Sequence, residues 1–161
     1  MLRRIIIHWT AGKYTPNSCD LNHYHFLVNN LGTVLNGIHT PQDNICCNDG
    51  IYAAHTKQGN TGTIGIAMCG MYGFKNPNRV GDFPLTKMQC EACFKYCAKL
   101  ITKHNISLNN VYTHYEFNKM KNIKTGKIDI VHLPPYPEIE KDKILDFIKS
   151  KILWYQTISQ A

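Results

Sequence analysis

The stretch "RRIIIHW", residues 3–9, decides the fold. Three β-branched isoleucines followed by His8 and Trp9 have no polar alternation, which is the signature of a strand buried at the centre of a sheet. Working outward, Thr63-Ile-Gly-Ile-Ala-Met-Cys69 is a second buried strand, entered through the turn Asn60-Thr-Gly62. His25-Phe-Leu-Val-Asn29 and Thr33-Val-Leu-Asn36 flank Asn30-Leu-Gly32 and predict a β-hairpin. Val111-Tyr-Thr-His114 is short and strand-like, and "GKIDIVHL", residues 126–133, also has the pattern of a strand. Residues 10–22 and 39–50, rich in Gly, Pro, Asn and Asp, are expected as loops, as is the lysine-rich segment after His114. Thr86 and Gln89 form a capping box that opens a helix to about Lys103, with Cys90, Cys93, Phe94, Cys97, Leu100 and Ile101 on its apolar face. Pro134, Pro135 and Pro137 then break the chain before a last helix. Its apolar side, Ile144, Leu145, Ile148, Ile152 and Leu153, is expected to pack on the sheet. Strands interspersed with helices over 161 residues predict one α/β (α+β) domain spanning residues 1–161.

Composition narrows the class. A hydrophobic content of 43% with 18% charged residues is that of a globular chain, which sets global disorder aside. The formal net charge of +7 points to a polyanionic partner: nucleic acid, an anionic membrane face or an envelope polymer. Nucleic acid is the weakest of these, because no basic recognition helix or aromatic-rich surface motif accompanies the charge. The charges of the last helix balance, so stable membrane association is not expected either. Seven cysteines, an odd number, include three on one helix face and the adjacent pair Cys46 and Cys47. That placement fits a reducing compartment with thiols serving as small buried hydrophobes, not a disulfide framework. The apolar run after Met1 is too short for an export signal, so synthesis and residence in the cytoplasm are expected.

Histidine is the informative residue type. His8 and His114 each end a short β-branched run, where a side chain emerges at the loop edge of a sheet, and Asp129 has a similar position in Lys-Ile-Asp-Ile-Val. Two imidazoles and one carboxylate from separate elements make a three-ligand zinc set with the fourth position open to water. Such a site activates water and polarises a carbonyl, the chemistry of amide hydrolysis. Spacing alone leaves open the alternative that the three are unrelated groups, since no compact motif joins them.

Further blocks carry a resemblance. Ile5-Ile-Ile-His-Trp-Thr-Ala-Gly12, His23-Tyr-His-Phe26 followed by Gly32-Thr-Val34, and Tyr52-Ala-Ala-His55 stand in order with three more: Asn60-Thr-Gly-Thr-Ile-Gly-Ile66, Thr113-His-Tyr-Glu116 and Gly126-Lys-Ile-Asp129. Over roughly residues 4–135 this pattern resembles the zinc-dependent N-acetylmuramoyl-L-alanine amidases, which include phage endolysins and the peptidoglycan-recognition proteins. The resemblance implies a central mixed β-sheet flanked by helices, one zinc ion, and cleavage of the amide between N-acetylmuramic acid and L-alanine. It assigns His8, His114 and Asp129 as metal ligands, and Tyr24 and Lys127 as catalytic residues. His55 and Asn60 match positions around the substrate groove, or else order the turn before the strand. Glu116, two residues after His114 on a segment expected to be extended, would support the ligands from behind.

The chain also departs from the broader pattern. Only fifteen residues separate His8 from Tyr24, so a loop is expected where relatives carry a helix. Ala67 stands where some members have glutamate, and no Asp-Pro-Gly follows Asp129, which makes His132 a competing ligand. The implied partners are peptidoglycan and, through the charge, anionic wall polymers. A monomeric endolysin of phage or prophage origin, without a separate cell-wall-binding domain and acting after release from its host, is the reading that follows. Its alternative is a non-catalytic muropeptide-binding module.

Overall fold

The computed structural model describes residues 1–161 as one domain built on a five-stranded sheet. The elements are β1 (Arg4–Trp9), α1 (Ser18–His23), β2 (Phe26–Val28), β3 (Val34–Asn36), β4 (Thr63–Met68), α2 (Lys87–His104), β5 (Val111–Thr113), α3 (His114–Lys121) and α4 (Ile144–Gln160). The strand order is β3-β2-β4-β1-β5, parallel throughout except for the β2–β3 hairpin. The triple isoleucine is therefore central, with β4 on one side and β5 on the other.

Strand alternation divides β1 between two environments. Ile5, Ile7 and Trp9 enter the main core, together with Ile64, Ile66 and Met68 of β4. Arg4, Ile6 and His8 share the opposite face, aligned with Thr63, Gly65 and Ala67. The core face is covered by α2, whose Cys90, Cys93, Phe94, Cys97, Leu100 and Ile101 are buried against it. Phe94, Leu100 and Ile101 each contribute roughly 1.5–3 kcal/mol by leaving water. Thr86 caps α2 in a full capping box with Gln89. Gln89 is fully buried, and its Nε2 donates to the carbonyls of Val28 and Cys69, so the start of the helix is fastened to the ends of β2 and β4.

Several expectations are corrected. Residues 18–23 form a helix, capped by Asn17 and Asp20 in a second capping box, where a loop was expected. The loop over 39–50 contains a 3-10 turn at Pro41–Ile45. The lysine-rich segment after His114 is the helix α3: Thr113 Oγ1 accepts from the Glu116 N–H, and Asn122 closes the helix in the left-handed conformation. Cap chemistry at Thr113 outweighed the β-branched run before it. "GKIDIVHL" is not a strand but irregular chain, fixed by Ile130 and Leu133 in the core and by the Tyr115 N–H donating to the Asp129 carbonyl at 2.7 Å. Ile128 is exposed, so only one of Asp129's isoleucine neighbours enters the core.

The last helix packs mainly on α2, not on the sheet, through Ile144, Ile148 and Ile152, while Leu153 is exposed. A polar cluster closes this junction. Glu91 of α2 accepts from Tyr136 Oη at 2.5 Å, Tyr155 Oη at 2.6 Å and Lys151 Nζ at 2.7 Å. Partial burial acts to raise the Glu91 carboxyl pKa, but these three donors outweigh it and hold the group below the usual carboxyl range. Its stabilisation is therefore complete above that range and lost as pH falls through the lowered value. Glu91→Ala is expected to reduce the unfolding free energy by about 2–3 kcal/mol at neutral pH, measured by urea denaturation, with the gap to wild type narrowing in acid.

Candidate active site

His8 emerges near the carboxyl end of β1 on the face away from the core and is only 1% exposed. His114 comes from the adjacent strand end: β5 stops at Thr113, and the first residue of α3 turns its imidazole inward. The chain then returns at Asp129, 121 residues after His8, and places a buried carboxylate between the two rings. Asp129 Oδ2 lies 2.8 Å from His8 Nδ1 and 3.3 Å from His114 Nδ1. One ligating atom from each of the three residues falls within 4.8 Å of the others. Burial works to raise the Asp129 pKa, but hydrogen bonds from His114 and His8 overcome it and keep the group an anion. Burial also lowers the His8 pKa to about 4, against the opposing pull of Asp129, so its imidazole is neutral at physiological pH.

Two imidazoles and a carboxylate, each from a different segment and gathered at one point, suit a divalent ion such as zinc. The Nε2 atom of His114 is buried without a partner, so its hydrogen-bonding capacity is concentrated at Nδ1. His132 does not take part. Its ring stacks on Phe74 at 6.2 Å, and the metal-capable group holds Asp129 in its place.

Behind His8 lies a polar network. His8 Nε2 is 3.1 Å from His55 Nδ1 and 3.4 Å from Thr56 Oγ1, and Thr56 Oγ1 is 2.8 Å from His55 Nδ1. The Thr56 hydroxyl both donates and accepts, so it can satisfy either tautomer of the histidine pair. Asn60 Oδ1 accepts from the backbone N–H groups of both His55 and Thr56, fixing the loop that carries them. Asn44 bridges the Ala53 backbone and His25. Gly65 supplies the room: a Cβ there would lie 2.5 Å from the His55 ring. Asn60 thus orders the turn through its side-chain oxygen, and His55 is buried beside His8. Thr56 was missed in the sequence, where its only signal was its place next to His55.

A cleft of about 600 Å³ opens above this cluster, lined by Tyr24, His55, Asn60, His114, Lys127 and Asp129 among others, with His8 beneath its floor. The Tyr24 ring sits 5.0 Å from that of His8, and burial first, then Asp129, pushes its phenol pKa well up, so it holds its proton. Lys127 is exposed at the rim. Glu116 does not line the cleft; it is the third residue of α3, and its carboxylate makes no hydrogen bond or ion pair with the cluster.

The sheet thus holds its metal-capable group at the floor of a cleft. The family profile described as N-acetylmuramoyl-L-alanine amidase matches residues 2–130, and the chain belongs to that family. A search of curated protein sequences finds no match. Among solved structures, the amidase LysC from Clostridium intestinale shares 17% identity at a TM-score of 0.58, with 94% of this chain and 85% of that one covered. The endolysin of the Thermus scotoductus bacteriophage Ph2119 shares 14% identity at 0.52, with 92% and 83% covered. The ectodomain complex of peptidoglycan recognition proteins LCa and LCx, bound to tracheal cytotoxin, shares 19% at 0.53, with 86% and 80% covered. At these identities the likeness is one of fold.

Burial lowers His25, like His8, to about 4, and holds His55 well below its ordinary value. Unfolding restores their ordinary values, so the unfolded chain binds more protons as pH drops below about 6.5, and stability declines there. In the presence of a chelator, the unfolding free energy is expected to fall between pH 7 and pH 5 by about 1–2 kcal/mol per buried histidine, read from urea denaturation.

Proposed function

We propose that this chain is a zinc-dependent peptidoglycan amidase that hydrolyses the amide between N-acetylmuramic acid and L-alanine. The observation that carries this reading is the convergence of His8, His114 and Asp129 at the floor of a cleft that also presents Tyr24 and Lys127. Family membership and likeness to endolysin folds support it. So does the recognition-protein neighbour that holds tracheal cytotoxin, as far as a peptidoglycan-derived partner is concerned.

His8, His114 and Asp129 would hold the metal, which when bound supplies Lewis-acid polarisation and lowers the pKa of water. The protein's own groups do the rest. If His8 gave Nδ1 to the metal, its ring proton would lie on Nε2 and be shared with His55 and Thr56, whose contacts fix the plane of the ring. Asp129, kept anionic, lowers the net charge of the site. The Lys127 ammonium at the rim stabilises the oxyanion that develops as the carbonyl is attacked. Tyr24, protonated and close to His8, orients the attacking water through its hydroxyl or passes a proton. In biological terms the reading is a phage or prophage endolysin, made in the host cytoplasm and acting on the wall after release. No helix is long and apolar enough to cross a membrane.

Purified protein is expected to release alanine amino groups from peptidoglycan without new reducing sugar, to lose that activity in a chelator and to regain it with zinc. Reducing ends without amines would establish a glycosidase instead, and muropeptide binding without turnover would establish a recognition module. Lys127→Ala should lower kcat by roughly 10²-fold with zinc content unchanged. Thr56→Val should weaken zinc about tenfold in a chelator competition, while Thr56→Ser retains most of the affinity.

A further inference from the structure

The face of the sheet that carries the amidase site continues past it into a second concavity. Arg4 and His8 lie on the same side of β1, four residues apart, which separates them by about 13 Å along the strand. Around Arg4 is a pocket of about 350 Å³ that shares Asn60 with the catalytic cleft. Its charged lining residues are Arg3, Arg4 and Lys121, joined by Tyr52, Gln58 and Thr61, and no carboxylate borders it.

These cations have no counter-ion. The four ion pairs of the chain lie elsewhere, and none includes Arg3, Arg4 or Lys121. Arg4 is nevertheless held in place: one guanidinium nitrogen donates to Thr63 Oγ1 at 3.0 Å, and the group sits 4.9 Å from the centroid of the Phe117 ring. Burial and then the adjacent Arg3 lower the Arg4 pKa, against an opposing pull from Tyr112. A guanidinium fixed on an aromatic ring, with most of its donors unspent beside two more cations, is prepared for oxyanions.

We propose that this pocket, whose Arg4 lies about 13 Å along β1 from His8, binds the phosphodiester backbone of an anionic wall polymer, a polyol-phosphate strand. The choice of a wall polymer over nucleic acid rests on the proposed amidase function, because the pocket opens beside the cleft that takes peptidoglycan. The pocket would hold the enzyme on its polymeric substrate through repeated charge contacts, each of which releases counterions and weakens with salt.

The test is binding of the full chain to soluble poly(glycerol phosphate), measured by calorimetry at several salt concentrations. Arg3→Gln/Lys121→Gln is compared with Lys95→Gln/Lys99→Gln, a pair on the exposed side of α2 that removes the same charge from the other face. The pocket variant is expected to bind about 20-fold more weakly, with a shallower salt dependence, while the α2 variant stays close to wild type. Equal losses in both variants, or no binding by wild type, overturn the proposal. Tighter binding of a single-stranded DNA oligomer or of poly-glutamate than of poly(glycerol phosphate) overturns the choice of polymer. Amine release from wall stripped of polyol phosphate reports on the amidase reading separately, so either can fail while the other stands.

Discussion

A carboxylate sealed between two imidazoles is the constraint around which this molecule is arranged. Desolvation raises the Asp129 pKa and so works against a negatively charged group at the floor of the cleft. Two ring nitrogens overcome that, and they can do so only if β1, β5 and the chain beyond α3 are held in fixed relation. The sheet provides that relation. Ile5 and Ile7 are locked into the core on one side of β1, and the same alternation leaves His8 no choice but the other side. A slip of one residue in the pairing of β1 would turn the imidazole into the apolar core and Ile5 and Ile7 toward the polar site.

The two faces of the sheet divide the labour. One carries a dense apolar layer under α2 and α4, with thiols at 90, 93 and 97 packed as small hydrophobes. The other carries no long helix: besides α3 it has the 3-10 turn at Pro41–Ile45, and the short α1 reaches the cleft through Asp20 and His23. Loops cross it, and polar side chains tie them down: Asn44 to Ala53, Asn60 to His55 and Thr56, and Asn118 to Thr125. Asn44 and Asn60 take up backbone groups of the loops that cross this face. The same side chains that keep the loops in place thereby set the walls of the cleft.

The central strands, the hairpin and α2 were legible in the sequence because each is written in one local code: β-branched runs, turn residues, a capping box. What the sequence concealed were elements whose local signals compete. Thr113 ends a β-branched run yet caps a helix, so α3 was hidden inside a lysine-rich stretch and Glu116 was expected on an extended chain. Lys-Ile-Asp-Ile-Val looked like a strand because its isoleucines alternate, but Ile130 is buried by the core while Ile128 faces outward, and no neighbouring strand pairs with the segment. The grouping of His8, His114 and Asp129 could be guessed from residue type and order. The support given by Thr56 could not, since it depends on a loop path that only Asn60 and Gly65 make possible.

The distance in sequence between His8 and Asp129, 121 residues, has a consequence for how the molecule comes into being. At about 5–20 residues per second, a ribosome that has added the histidine takes on the order of ten seconds to add the aspartate. Throughout that interval the nascent chain owns first one and, from residue 114, two imidazoles of the site, and no carboxylate to set against them. The chemistry is thus withheld by synthesis itself: β1 is made early, and the site closes around it only after the last segment of the cleft has been laid down.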